Sequence, residues 1–167
     1  GITNSKSTIE QETSMQEPSP DKTEETPRRF PLLRLTLPLP PSINEQYATV
    51  NGRRVSTPVA RHFKHDVKSA LRTLEQRGLL DDELRSRFQQ SHLALLLDFY
   101  FATPMKRDLD GGLKITQDAL CEGLRVNDNR VVDIHLMKHI DPLHPHLYIE
   151  LEAIPDWHFD KEYILLK

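Results

Sequence analysis

Cysteine is almost absent: Cys121 stands alone among 167 residues. An intramolecular disulfide is therefore impossible, and a reducing, cytoplasmic setting is the expectation that follows. Long hydrophobic runs are missing as well. No stretch approaches the ~20 apolar residues of a membrane-spanning helix, and the N-terminal segment lacks the basic-then-apolar pattern of a secretory signal. No Ser or Cys sits in a recognisable nucleophile elbow. The eight histidines have no acids or cysteines at zinc-ligand spacing. Neither sign of charge dominates: the net charge is −3. Six of the 25 acids but only three of the 22 bases lie in residues 1–28, which leaves 19 of each sign for the rest. Binding of a polyanion by that neutral remainder would depend on how its bases cluster.

Residues 1–29 are also nearly free of large apolar side chains and rich in Ser, Thr, Glu, Gln and Pro. Such a segment cannot bury enough surface to offset its ordering entropy, which predicts a disordered acidic tail. A folded domain is expected over 30–154. Leu33, Leu35 and Leu37 alternate with polar residues as a strand, and Pro38, Pro40 and Pro41 stop it. Asn51-Gly52 marks a turn. Thr57-Pro58 opens a helix that Gly78 closes. Its predicted buried stripe is Val59, Phe63, Val67, Ala70, Leu71 and Leu74. Arg61, Lys64, Lys68 and Arg72 fall on an adjacent stripe, either a solvated face or a track for phosphates. A strand is predicted over 93–101, a helix from about 110 to 122 with Gly123 as its C-cap, a strand from Val131 to Lys138, and a last strand through Leu147, Ile149 and Leu151 as its hairpin partner. This order gives an α+β fold, with a mainly antiparallel or mixed sheet and two principal helices. Residues 155–167, with Trp157, Phe159 and Tyr163 to Leu166, are too apolar for a free tail and are expected to pack on the domain or on a partner subunit.

The chemistry concentrates in Asp108-Leu109-Asp110-Gly111-Gly112-Leu113-Lys114, together with Asp128. Two carboxylates two residues apart share one face of an extended segment. Carboxylate oxygens are the hard ligands that Mg²⁺ prefers, and gathering three of them costs electrostatic energy unless a cation neutralises it. A lysine beside them suits a phosphate whose charge grows in the transition state. Together these are the groups that metal-assisted phosphodiester hydrolysis uses. Each member also has a plainer explanation. Asp110 alone fits a helix N-cap, Gly111-Gly112 fits either a flexible turn or a close approach of backbone to a phosphate or strand, and Lys114 with Asp118 fits an i, i+4 ion pair.

These residues resemble the RusA-like Holliday junction resolvases, endonucleases of phage and prophage origin. Three blocks carry the resemblance: Leu35 to Asn44 with its Pro-Pro-Ser-x-Asn loop; Arg107-Asp108-Leu109-Asp110 with Lys114 and Asp118-Ala119-Leu120; and Asn127-Asp128-Asn129-Arg130-Val131-Val132 with Lys138. They span roughly residues 32–152 in the family's order and spacing. The resemblance implies an intertwined homodimer, Mg²⁺ dependence with Mn²⁺ as a substitute, and paired nicks across a four-way DNA junction in recombination and repair. It assigns metal binding and catalysis to Asp108, Asp110 and Asp128, and charge balance at the phosphate to Lys114. Arg61, Lys64, Lys68, Arg72, Lys106, Arg107 and Lys138 become candidates for DNA-backbone contacts. Asn127 departs from the family, which often carries an acid there. A catalytically weak or inactive junction-binding module is therefore the alternative, and a scaffold whose acidic tail recruits a partner is a third reading.

Overall fold

The computed structural model describes residues 31–104 and 108–160. Its elements are β1 (Leu32–Leu37), β2 (Tyr47–Val50), β3 (Arg53–Ser56), α1 (Pro58–Gln76), α2 (Asp82–Gln90), β4 (His92–Phe101), α3 (Leu113–Leu124), β5 (Val131–Ile140) and β6 (His146–Ile154). The fold is α+β. Four strands form one mixed sheet in the order β1-β6-β4-β5, and β2 and β3 form a separate hairpin.

The central strands follow from their sequences. In β4, Leu93, Leu95, Leu97, Phe99 and Phe101 are all buried, and the residues between them are half-buried. β6 repeats the pattern through Leu147, Ile149, Leu151 and Ala153. A strand with one face fully buried and the other half-covered belongs inside a sheet. β6 accordingly runs antiparallel to both β1 and β4. The hairpin between β5 and β6 expected from the sequence does not form. β5 instead pairs parallel to β4, and the chain crosses the end of β4, where the Asp141 amide donates to the Phe101 carbonyl at 2.8 Å. β5 has no fully buried residue, so it is stable only at the edge, whereas β6 would lose its burial there.

The buried odd-numbered side chains of β4 join one core with α1, α3 and Phe88 of α2. Thr57 caps α1 by accepting from the Ala60 amide at 3.2 Å. Ala60, Phe63, Val67, Leu71 and Leu74 are its buried side chains, each contributing up to about 1.5–3 kcal/mol for the larger ones. Val59, placed in the stripe from sequence, is 56% exposed. It lies one residue, about 100° of helix, from Ala60, which takes the core position.

There are three α-helices among the described residues rather than two. α2 escaped the periodicity argument because Phe88 is its only buried residue. It is held by polar contacts: Asp81 accepts from the Leu84 amide at 2.8 Å, Arg85 pairs with Glu75 and donates to the Gly123 carbonyl at 2.9 Å. α3 also differs from expectation. It starts at Leu113, runs through Gly123 and ends at Arg125, which takes the left-handed conformation at φ 57°. Gly123 is therefore not the cap. A Cβ there would stand 2.5 Å from Leu71 Cδ1, so it serves the packing of α3 on α1.

Beyond β6, Trp157 packs against His92 with ring centroids 4.7 Å apart and against Phe159 at 4.6 Å. The expected tail over 1–29 and the apolar residues 163–166 lie outside the described residues.

Candidate functional site

α3 organises the site. Its N-terminus receives the loop that carries Asp108 and Asp110, and its exposed face carries Lys114 and Asp118. The loop closes on itself through backbone bonds: Gly111 N–H to the Asp108 carbonyl at 3.3 Å and Leu113 N–H to the Asp110 carbonyl at 3.1 Å. The N-cap position is Gly112, and no side chain caps the helix. Asp110 is thus not the capping residue that one reading of the sequence made it. The carboxylates of Asp108 and Asp110 are exposed and make no hydrogen bond or ion pair with another described residue.

The two glycines have different parts. A Cβ on Gly112 would stand 2.3 Å from Pro40 Cγ and 3.3 Å from Phe99. Any larger residue would drive the Pro40-Pro41 turn off the start of α3. Gly111 has no such contact. The close approach anticipated for this pair is therefore to the proline loop, at Gly112. Thr116, wholly buried, donates its hydroxyl to the Gly112 carbonyl at 2.7 Å and locks the first turn.

Gln46 ties the acidic loop to the rest of the domain. It is 5% exposed, and its Nε2 donates to the Pro41 carbonyl at 3.0 Å and to the Gly111 carbonyl at 2.9 Å. Sequence reasoning missed it because a lone glutamine in a loop has no distinguishing pattern. Its one sequence signal is its place two residues beyond the Pro-Pro-Ser-x-Asn segment.

Lys114 pairs with Asp118, its Nζ 3.3 Å from the carboxylate. That hydrogen bond and the charge of Asp118 raise the lysine above its ordinary pKa, and Asp128 adds to the effect more weakly. Asp128 comes to the same flank of α3. Its carbonyl accepts from Gln117 Nε2 at 3.4 Å, and its charge reaches Cys121. The parallel pairing of β5 with β4 is what delivers it there. Asn127 uses its side-chain oxygen to accept from the Asn129 amide at 3.1 Å, capping the short helical turn Asp128–Arg130. An aspartate would make the same bond, so this cap does not depend on the departure from an acid. Cys121 is buried in α3, and burial, with smaller contributions from Asp128 and Asp118, pushes its thiol up to about 11.

Asp108 and Asp110 therefore lie at the head of α3, and Lys114, Asp118 and Asp128 along its exposed flank. Among the described residues no three His, Cys, Asp or Glu side chains stand close enough together to hold a cation. The donor chemistry nevertheless fits Mg²⁺: Asp108, Asp110 and Asp128 offer exposed carboxylates, with no thiolate or imidazole among them.

The basic candidates are distributed unevenly. Arg61 donates to the Ser56 carbonyl. Lys64 borders a small cavity shared with Gln46, Tyr47 and Asp118. Lys68 stands 3.9 Å from Glu122 and, with Arg72, lines a shallow groove toward Glu75, Arg85 and Gly123. The stripe is thus neither a bare solvated face nor an uninterrupted cationic track: it follows the seam between α1 and α3. Lys138, on β5, donates to the Pro104 carbonyl at 3.0 Å. Lys106 and Arg107 lie outside the described residues. The histidines form no metal set among the described residues. His139 bonds Asp98 at 3.1 Å and stacks on Tyr100, which also stacks on His146.

Comparison with curated proteins gives no match. A family description, Endodeoxyribonuclease RusA, matches residues 38–152. That span runs from the proline loop into β6 and includes the acidic loop, α3 and Asp128. The chain belongs to the RusA endodeoxyribonuclease family.

Proposed function

We propose that this chain is a Mg²⁺-dependent, structure-selective endonuclease that resolves four-way DNA junctions by paired phosphodiester nicks. The observation that carries the reading is the acidic loop at the head of α3. It is fastened through Gln46 and Gly112, and it presents two exposed carboxylates that serve no cap and no ion pair among the described residues. Carboxylates two residues apart that lack internal partners are stabilised when a cation neutralises them, which supports this reading.

In this reading Asp108, Asp110 and Asp128 hold one or two Mg²⁺ ions. Bound there, Mg²⁺ supplies an activated water and stabilises the leaving 3′ oxygen. Lys114 neutralises charge on the scissile phosphate, with Asp118 keeping the ammonium protonated and aimed along the flank of α3. Arg61, Lys64, Lys68, Arg72, Lys106, Arg107 and Lys138 contact the DNA backbone. A homodimer supplies the two sites that symmetric cutting needs. β5 supports this arrangement: it is an edge strand with Ile134 and Ile140 exposed on one face and Met137 on the other, an apolar edge that a second copy would cover. We further assign residues 30–154 to the nuclease domain, with Trp157 of the segment that follows docked on His92.

The test is cleavage of a labelled four-way junction with Mg²⁺ and with EDTA, by the wild-type chain and by Asp110→Asn. Nicking that needs Mg²⁺ and disappears in the variant, with junction binding retained, is the expected result. Metal-independent cleavage, or a variant that nicks normally, overturns the assignment. Junction binding without any cleavage by the wild type would favour the inactive-module alternative.

A further inference from the structure

We infer that the β2–β3 hairpin is a nucleic-acid arm whose Arg53 and Arg54 grip the phosphate backbone of the DNA beside the acidic loop. This rests on the nuclease reading above and adds a contact surface that lies outside the basic stripe of α1.

The hairpin gives nothing to the core. Every residue of β2 is exposed, as are Arg53, Arg54 and Val55 of β3; only Ser56, at the base, is half-covered. A two-stranded hairpin without a supporting layer is marginally stable in water, so packing does not account for its shape. Its tip is nonetheless well defined. Asn51 at φ 52° and Gly52 at φ 74° are the paired left-handed residues of a type I′ turn, which matches the twist of the flanking strands.

Its chemistry has one sign. Residues 47–56 contain two arginines and no acid, within a chain that is negative overall. The Arg54 guanidinium lies 3.9 Å from the centroid of the Tyr47 ring, which holds it by a cation–π contact without neutralising it. Among the described residues no carboxylate forms an ion pair with either arginine. The positive charge continues from the arm into α1: Arg61 bonds the Ser56 carbonyl, and Lys64 borders the same small cavity as Tyr47 and Ser56. Unpaired guanidiniums on a projecting ribbon are complementary to a polyanion, and a two-stranded ribbon has the width that a DNA major groove admits.

The arm is also in register with the acids. At its base the Thr57 amide donates to the Gln46 carbonyl at 3.1 Å, and the Gln46 side chain donates to the Gly111 carbonyl at 2.9 Å. One residue thus fastens both the arm and the loop that carries Asp108 and Asp110. DNA held by the arm is held at a fixed offset from those carboxylates.

The test uses the full chain with the double variants R53A/R54A, R53E/R54E and R53K/R54K. Affinity for a four-way junction is measured by fluorescence anisotropy in EDTA across a salt series. Two lost phosphate contacts should flatten the dependence of log K on log salt by about two units in the Ala variant. The Glu variant should bind more weakly still, and the Lys variant should keep the wild-type slope, since charge is what the contact needs. Melting temperatures should stay within about 2 °C of wild type, because no core residue changes. Wild-type junction binding with an unchanged slope in both the Ala and Glu variants overturns the arm and leaves the nuclease reading standing. A Lys variant as weak as Ala would also overturn it, because the arginines would then act through shape and not through charge. A wild-type chain with no affinity for branched DNA overturns the nuclease reading itself, and the arm with it.

Discussion

Replacing Gln46 by alanine should destabilise the domain by about 2–4 kcal/mol. The side chain is 5% exposed and satisfies two carbonyls, Pro41 at 3.0 Å and Gly111 at 2.9 Å. A hydrogen bond contributes about 1 kcal/mol net, but an acceptor left buried without a donor costs about 1–3 kcal/mol. Pro41 is buried, so its carbonyl bears most of that cost; Gly111 is half-buried, and water can reach it in part. The sum falls in the stated range. Gln46→Glu is the sharper variant, since it keeps the volume but turns an oxygen toward two oxygens. In the folded protein this carboxyl would have its pKa raised, because only its protonated form can donate. Relative to wild type, the Glu variant should therefore recover stability as pH falls below about 5 and lose it as pH rises toward 7. Urea unfolding followed by circular dichroism at pH 5 and pH 7 measures both effects. A Gln46→Ala variant within 0.5 kcal/mol of wild type, or a Glu variant with no pH dependence of its deficit, would show that Gln46 does not fasten the acidic loop as described.

Three further outcomes are expected. Lys114→Ala should slow single-turnover cleavage by on the order of 10²–10³ while weakening junction binding far less, because a preorganised charge at the phosphate acts on the transition state; an unchanged saturated rate would leave Lys114 as no more than the ion-pair partner of Asp118. Gly112→Ala should cost about 1–3 kcal/mol by overpacking, since its Cβ would stand 2.3 Å from Pro40 Cγ, whereas Gly111→Ala, which meets only ordinary contacts, should cost much less in the same unfolding assay. Cys121, with its thiol pushed up to about 11 from 9.0, should resist iodoacetamide at pH 8 in the folded protein. Its folded form keeps the proton after the unfolded chain has lost it, so its linkage should lower stability as pH climbs from about 9 to 11, and Cys121→Ser should show a smaller decline over that range in pH-dependent unfolding.

The sequence by itself determined the local elements whose periodicity is strong. Leu33-Leu35-Leu37 and the run from Leu93 to Phe101 alternate because one face is buried, and Thr57-Pro58 starts α1 by chemistry confined to one turn. It also carries the acidic motifs of Asp108, Asp110 and Asp128, legible in order and spacing and lying within the span that the family description matches. α2 was invisible for the converse reason: its single buried Phe88 leaves no periodic stripe, and Arg85 finds Glu75 and Gly123 only after the chain has folded. Tertiary structure alone decided that β6 enters the sheet between β1 and β4 and leaves β5 at the edge, because the choice compares the burial of two whole strands. It alone decided which glycine the proline loop needs, since the approach of Pro40 to Gly112 joins segments about 70 residues apart. The same holds for Gln46, whose bond to Gly111 spans 65 residues. Periodicity and capping act over a few residues and can be read along the chain, whereas steric fit and the satisfaction of buried carbonyls arise only between segments brought together by the fold.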